Sequence, residues 1–133
     1  MAGQSKWKWA IGVVAVALVG AAIGYADLLR AAFQRKPVPR SAASIARGRA
    51  LFEADCAICH GAQGHGDGVA ATGMPRKPDD LGDLAPPPIF PDGVVAYRIR
   101  NGVGLMPAFG KVLNDEELWD LLNYIRALAP AKK

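Results

Sequence analysis

Two cysteines three positions apart, Cys56 and Cys59, are followed directly by His60. On a helical turn, residues i and i+3 lie on one face, so both sulfurs can point the same way. This spacing allows two thioether bonds to one edge of a porphyrin, with the imidazole of His60 beneath the iron as the proximal ligand. The chain has two cysteines, so no other pairing competes for them. The motif therefore predicts one covalently attached haem c.

Three other interpretations of the motif are weaker. A thioredoxin-like dithiol requires a βαβ setting, and no strand pattern surrounds the two cysteines. A structural zinc ion requires four ligands, and the one further histidine is His65. A disulfide is compatible with an oxidising compartment but leaves His60 without a role.

The net charge of +4 is unevenly distributed along the 133 residues. Residues 1–40 carry six Lys or Arg and one Asp, whereas residues 41–133 carry ten Lys or Arg and eleven Asp or Glu. The basic character therefore belongs to the N-terminal segment, and the part large enough to form a domain is close to neutral. This distribution argues against binding of nucleic acid.

The run from Trp9 to Ala26 contains no charged residue. As a helix rising about 1.5 Å per residue, it would just cross a hydrocarbon core of about 30 Å. Trp7, Trp9 and Tyr25 are typical of the aromatic belts at membrane interfaces. We therefore expect residues 1–33 to form a basic segment and a transmembrane anchor. A signal peptide is the alternative, although its apolar part is usually shorter.

The remaining chain divides into a linker and one small domain. Residues 34–43 contain two prolines and are predicted to form a semi-rigid linker. Residues 44–133 are predicted to form an all-α domain, in which Ser44 caps a helix that runs into the haem motif. Asp92 is predicted to cap a second helix, and Asn114 a last helix that has an apolar face and ends at Pro130.

Met106 is the candidate for the second axial ligand of the haem iron. It lies in the sequence Gly104-Leu105-Met106-Pro107, and a soft thioether is a suitable iron ligand. Met74, also followed by proline, is the rival candidate, although it lies closer in sequence to the proximal ligand. His65, five residues after His60, is interpreted as a histidine of a solvent-facing loop.

Together these residues resemble class I monohaem cytochromes c of the bacterial membrane-anchored type, over about Ile45 to Leu128. Each motif except the first is modest alone, but their order is specific. The segments that carry the resemblance are Cys56-Ala57-Ile58-Cys59-His60-Gly61, Gly64-His65-Gly66-Asp67-Gly68, Arg100-Asn101-Gly102, Met106-Pro107-Ala108-Phe109 and Leu118-Trp119-Asp120-Leu121-Leu122-Asn123-Tyr124-Ile125-Arg126.

The resemblance implies a fold of a few helices around the haem, with the first and last helices of the domain crossing. By that analogy Gly48 and Phe52 pack against Leu121 and Tyr124. A proline carbonyl accepts a hydrogen bond from the proximal imidazole in this family, and Pro78 is the candidate here. The prolines at 86–88 have no role that the pattern assigns.

The function implied is one-electron transfer, with His60 and Met106 holding the iron, by a tethered carrier or a subunit of a complex. Expected partners are a quinol-oxidising complex or dehydrogenase and a terminal oxidase. Because thioether attachment implies export, the domain is expected on the periplasmic side of the bacterial cytoplasmic membrane. The sequence contains no catalytic acid/base pair or nucleophile constellation, so the chain is not predicted to be an enzyme acting alone.

Two alternatives remain open. A five-coordinate haem protein that binds a small ligand or reduces peroxide would need Met106 to be a packing residue only. A mainly structural subunit would use the helix Trp9–Ala26 to pack within a larger assembly, with the haem secondary.

Overall fold

The computed structural model describes residues 3–33, 37–84 and 90–128. The prolines at 86–88, Pro130 and the linker positions 34–36 lie outside these residues. Within the described ranges every element is helical: α1 (Gly3–Ala32), α2 (Ala42–Asp55), α3 (Ala57–His60), α4 (Asp92–Asn101), α5 (Asp115–Leu128) and two 3₁₀ turns (Val69–Gly73 and Leu81–Leu84). The predicted all-α class is confirmed.

Helix α1 contains the long apolar run that the sequence indicates. Its residues Trp7–Ala32 are long and apolar enough to cross a membrane, and among the described helices α1 is the one that meets this criterion. Nearly all of its described side chains are exposed, including Trp7, Trp9 and Tyr25. An exposed apolar surface of this size is typical of a helix that is covered by lipid or by another protein.

Helix α2 begins earlier than predicted. The side chain of Ser41, and not that of Ser44, caps it by accepting a hydrogen bond from the backbone N–H of Ser44 at 3.1 Å. Ser44 is buried, and its hydroxyl donates a hydrogen bond to the Asp120 carboxylate at 2.5 Å. The predicted cap was therefore wrong, because the serine chosen from the sequence has a partner 76 positions away.

The predicted cap was wrong for α4 and correct for α5. Asp92 is the first residue of α4 and Pro91 occupies the cap position, so the predicted cap at Asp92 was wrong. At α5, Asn114 accepts from the backbone of Glu117 at 3.0 Å, while the Glu117 side chain accepts from the backbone of Asn114 at 2.8 Å. This reciprocal arrangement is a capping box and confirms the predicted start of α5.

The core forms where α2 and α5 cross. A Cβ atom on Gly48 would overlap the backbone carbonyl oxygen of Asp120, so only glycine allows α2 to come this close. One turn later, the rings of Phe52 and Tyr124 lie 5.3 Å apart at an angle of 55°. The packing expected from the family resemblance is confirmed. Buried apolar side chains surround this crossing: Phe52, Leu81, Val95, Ala96, Ile99, Leu118, Trp119, Leu121, Leu122 and Ile125.

Candidate haem site

The motif Cys56-Ala57-Ile58-Cys59-His60 continues directly from α2. Cys56 ends α2, donating its N–H to Phe52 at 2.9 Å, and its carbonyl accepts from the N–H groups of Cys59 at 3.1 Å and His60 at 2.9 Å. The motif therefore forms a helical turn, as its spacing predicts. Because Phe52 is buried against α5, the helix crossing fixes the position of this turn.

The two cysteines form no disulfide with each other and are partly buried. Burial, with smaller contributions from Asp55 and Cys59, raises the pKa of the Cys56 thiol to about 12. A thioredoxin-like dithiol requires a lowered thiol pKa, so this environment is the opposite of a redox dithiol. In the part of the chain that the structure describes, no three His, Cys, Asp or Glu side chains gather into a metal site.

The imidazole of His60 is partly buried, and its Nδ1 atom is buried without a hydrogen-bond partner among the described residues. Burial lowers the pKa of His60, against an opposing effect of the backbone and carboxylate of Asp79. A partly buried, neutral imidazole has one ring nitrogen that can hold a haem iron and one N–H that can donate to a backbone carbonyl. The two cysteines on the same turn fit the thioether bonds to that haem.

The segment around Pro78 runs behind this turn. The Pro78 carbonyl lies so close to Gly66 that a Cβ atom on Gly66 would overlap it. Gly66 in turn donates its N–H to the carbonyl of His60 at 2.8 Å, so Gly66 lies between Pro78 and the His60 backbone. The hydrogen bond from the His60 ring to Pro78 remains a prediction. Sequence reasoning missed Asp79, the residue whose backbone and side chain act on the His60 imidazole.

His65 faces solvent from a loop, as predicted. Its side chain is 59% exposed, and its Nδ1 atom lies 2.9 Å from the Asp80 carboxylate. This hydrogen bond raises the pKa of His65 above its ordinary value of 6.5. The Asp80 carboxylate also accepts from the backbone of Gly82 at 2.7 Å, and Leu81 donates to the carbonyl of Gly64 at 2.8 Å. These contacts join the glycine-rich loop to the second 3₁₀ turn.

Met106 lies at the end of a tight turn. Its backbone exchanges two hydrogen bonds with Val103, at 2.9 and 3.1 Å. Its side chain is partly buried and packs against the core cluster. The rival Met74 is also partly buried and follows the first 3₁₀ turn. A thioether held by a hydrogen-bonded turn against the core has the rigidity that an axial ligand needs.

A buried polar cluster beside the α2/α5 crossing was not predicted. Asp120 is 2% exposed and accepts hydrogen bonds from Ser44 at 2.5 Å and from Arg47 Nε at 2.6 Å. Burial alone would raise the pKa of Asp120, but the hydrogen bonds from Arg47 and Ser44 lower it overall. Asn123, fully buried, donates to Ser44 at 2.7 Å and makes longer contacts with the carbonyls of Val38 and Pro39.

Comparison with known proteins gives a consistent result. The family described as cytochrome c oxidase, cbb3-type, subunit III matches residues 43–125. Cytochrome c6 of Cyanidioschyzon merolae is 36% identical over 92 residues, which cover 69% of this chain and 80% of that protein. Cytochrome c6 of a Picosynechococcus species is 34% identical over 101 residues, covering 71% of this chain and 82% of that protein.

One similar solved structure belongs to the reducing HAO-like protein complex of Kuenenia stuttgartiensis. It superposes with a TM-score of 0.61 at 30% identity, over 71% of this chain and 47% of that one. The present chain therefore spans about half the length of that structure. The likeness supports the helical fold described above.

Proposed function

We propose that this chain is an electron carrier held at a membrane by α1. The premise is that the chain belongs to the class I monohaem cytochromes c, in the family that includes cytochrome c6 and subunit III of cbb3-type cytochrome c oxidase. As a member of this family it carries one haem c, attached through Cys56 and Cys59, and transfers electrons without itself being an enzyme. When bound, the haem supplies a one-electron change between ferric and ferrous iron.

The observation that carries the proposal is the pair of candidate ligands. His60 is partly buried on a helical turn fixed by the core, and Met106 is partly buried on a hydrogen-bonded turn that packs against the same core. We assign these two side chains as the axial ligands. If His60 and Met106 both hold the iron of the bound haem, no coordination position would be left for a substrate, and the site would suit electron transfer. The Pro78 carbonyl is assigned as the acceptor that orients the His60 ring.

The proposed anchor is α1, which has the length and composition of a single membrane span. Covalent haem attachment belongs to an exported domain, so the haem domain would lie on the outer side of the bacterial cytoplasmic membrane. There an anchored carrier would exchange electrons with a quinol-oxidising complex or dehydrogenase on one side and a terminal oxidase on the other. Confinement to the membrane raises its effective concentration near such partners.

The ligand assignment is tested by absorption spectra of the reduced, haem-loaded full chain with and without carbon monoxide. The wild-type spectrum should be unchanged by the gas, because both axial positions are held. Met106→Ala should bind carbon monoxide, whereas Met74→Ala, the matched control, should behave like wild type. Rapid binding by the wild-type chain would contradict the assignment and favour the five-coordinate, ligand-binding alternative.

The anchor is tested separately by mass spectrometry and membrane fractionation of the mature protein. A mature chain that retains α1 and stays with membranes after salt washing is expected. A mass that corresponds to loss of α1 would identify a signal peptide and would make the haem domain a soluble carrier.

A further inference from the structure

The end of α1 packs directly against the haem domain. Of the α1 side chains described, from Trp7 onward, Ala31 alone is buried, at 6% exposed. Ala31 packs against the first turn of α4, where Gly93 is buried. The contact joins the helix proposed to span the membrane to a helix of the haem domain.

The approach at this contact requires a glycine. A Cβ atom on Gly93 would overlap the carbonyl oxygen of Ala31 and would stand 2.5 Å from its carbonyl carbon. Because these are backbone atoms, a side chain at position 93 could not be accommodated by a rotamer change. The contact also brings the C-terminal end of α1, with its partial negative charge, to the N-terminal end of α4, with its partial positive charge.

The first turn of α4, against which α1 packs, is held in place by a side chain of α5. The Arg126 side chain is 8% exposed and donates from Nε to the carboxylate of Asp92 at 2.8 Å. Its Nη groups donate to the backbone carbonyls of Phe90, at 2.5 Å, and Leu84. One buried guanidinium thus holds the start of α4, beside Gly93, to the helix that packs on the haem motif. The first turn of α4 is therefore fixed to the domain by hydrogen bonds from Arg126.

We propose that α1 and the haem domain form one rigid unit, joined at Ala31 and Gly93, in which the anchor sets the orientation of the haem domain to the membrane. This inference rests on the proposed anchoring by α1. Ala31 lies five residues beyond Ala26, the last residue of the uncharged run, which corresponds to about 8 Å of helix. The domain would therefore stand at the lipid headgroups in one orientation.

The alternative to a rigid unit is a tether. The connection between α1 and α2 has nine residues, 33–41. Within this connection Val38 and Pro39 are held to α5 by Asn123, so residues 33–37 remain between α1 and the domain. If α1 were not held at Gly93, these five residues in an extended form could let the domain move by up to about 17 Å from the anchor. A rigid unit removes that freedom and restricts exchange to a redox centre at a fixed height above the same membrane. This geometry fits an integral membrane partner that stays beside the anchor.

The test uses energy transfer from a fluorophore on α1 to the haem, in the full chain reconstituted into phospholipid nanodiscs. Because Cys56 and Cys59 are in thioether bonds in the haem-loaded protein, Tyr25→Cys, at a position that is 64% exposed, gives one labelling site. A rigid unit has one separation between label and haem, so the wild-type decay should contain a single short lifetime. Gly93→Val should shift the decay to longer, broadly distributed lifetimes.

Matched variants separate the contact from general damage. Nothing lies within 4 Å of a Cβ atom at Gly73, so Gly73→Val should leave the decay unchanged. Ala31→Leu disturbs the contact from the anchor side, outside the haem domain, and should lengthen the lifetimes even if Gly93→Val fails to fold. Ala22→Leu, at an exposed position of α1, is its control.

The outcomes distinguish the two proposals. A wild-type chain that stays in the membrane, shows no reaction with carbon monoxide and yet gives the broad decay of Gly93→Val would overturn the rigid unit and leave the proposed carrier function intact. A mature chain without α1 would overturn the rigid unit and the anchor together.

Discussion

Replacement of Gly48 by alanine tests the helix crossing that positions the haem motif. The added Cβ atom would overlap the carbonyl oxygen of Asp120 and would stand 2.5 Å from its carbonyl carbon and 2.9 Å from the nitrogen of Leu121. Ordinary contacts begin at 3.4 Å. Because these neighbours are backbone atoms inside α5, the helices would have to separate by about 1 Å in a core that is closely packed.

The cost can be worked from these contacts. Overpacking of this kind costs about 1–3 kcal/mol, and weakening the hydrogen bond between Ser44 and Asp120 adds about 1 kcal/mol. The better helix propensity of alanine returns about 1 kcal/mol. We therefore expect Gly48→Ala to lower the free energy of unfolding by about 2 kcal/mol, a net value dominated by overpacking.

The measurement is guanidinium unfolding of the haem-loaded chain, followed by far-ultraviolet circular dichroism. Gly73→Ala is the control, since a Cβ atom there meets nothing within 4 Å, and its stability should stay within about 0.5 kcal/mol of wild type. Equal unfolding midpoints for Gly48→Ala and Gly73→Ala would refute the reasoning, because they would mean that α2 and α5 do not approach as closely as described.

Two ionisable groups give further predictions. The pKa of His65 should lie above 6.5 in a proton NMR titration and should fall in Asp80→Asn, because the Asp80 carboxylate stabilises the protonated ring. A His65 pKa that does not change in that variant would exclude the pairing. The stability from this pair is complete between pH 3.8 and pH 6.5 and is lost as the pH rises through the raised pKa of His65. It is also lost at acid pH, as the pH falls through the lowered pKa of Asp80. Because hydrogen bonds from Arg47 and Ser44 lower the pKa of Asp120 in the folded state, its contribution is present above pH 3.8 and is lost as the pH falls through that lowered pKa. Asp120→Asn should therefore flatten the loss of stability on acidification, measured by denaturant unfolding at several pH values, and an unchanged acid dependence would contradict the assignment.

The features that could be predicted from the sequence depend on neighbours along the chain. The haem motif is contained in five consecutive residues, and its helical turn follows from their spacing. The capping box at Asn114 and the apolar face of α5 likewise depend on residues a few positions apart. The family resemblance added the contact between Gly48 and α5, which no local pattern contains.

The features that could not be predicted depend on distant partners. Two serines, Ser41 and Ser44, precede the apolar positions of α2, and either one satisfies the local pattern of a cap. The choice is made by Asp120, which binds Ser44 from 76 positions away. Similarly, Asp92 looks like a cap in sequence, but its carboxylate accepts from Arg126, 34 positions away.

Helix α5 connects all of these distant contacts, although it contributes no candidate ligand. Asp120, Asn123 and Arg126 are spaced three residues apart, so their side chains follow one flank of the helix. In that order they hold α2, the linker carbonyls at Val38 and Pro39, and the start of α4. A polar flank on an amphipathic helix is usually interpreted from sequence as a solvated surface. Here Asp120 and Asn123 are buried, and the side chain of Arg126 is 8% exposed. The positions of α2 and of the start of α4 are therefore set by buried polar residues of α5, which local hydrophobic periodicity cannot identify.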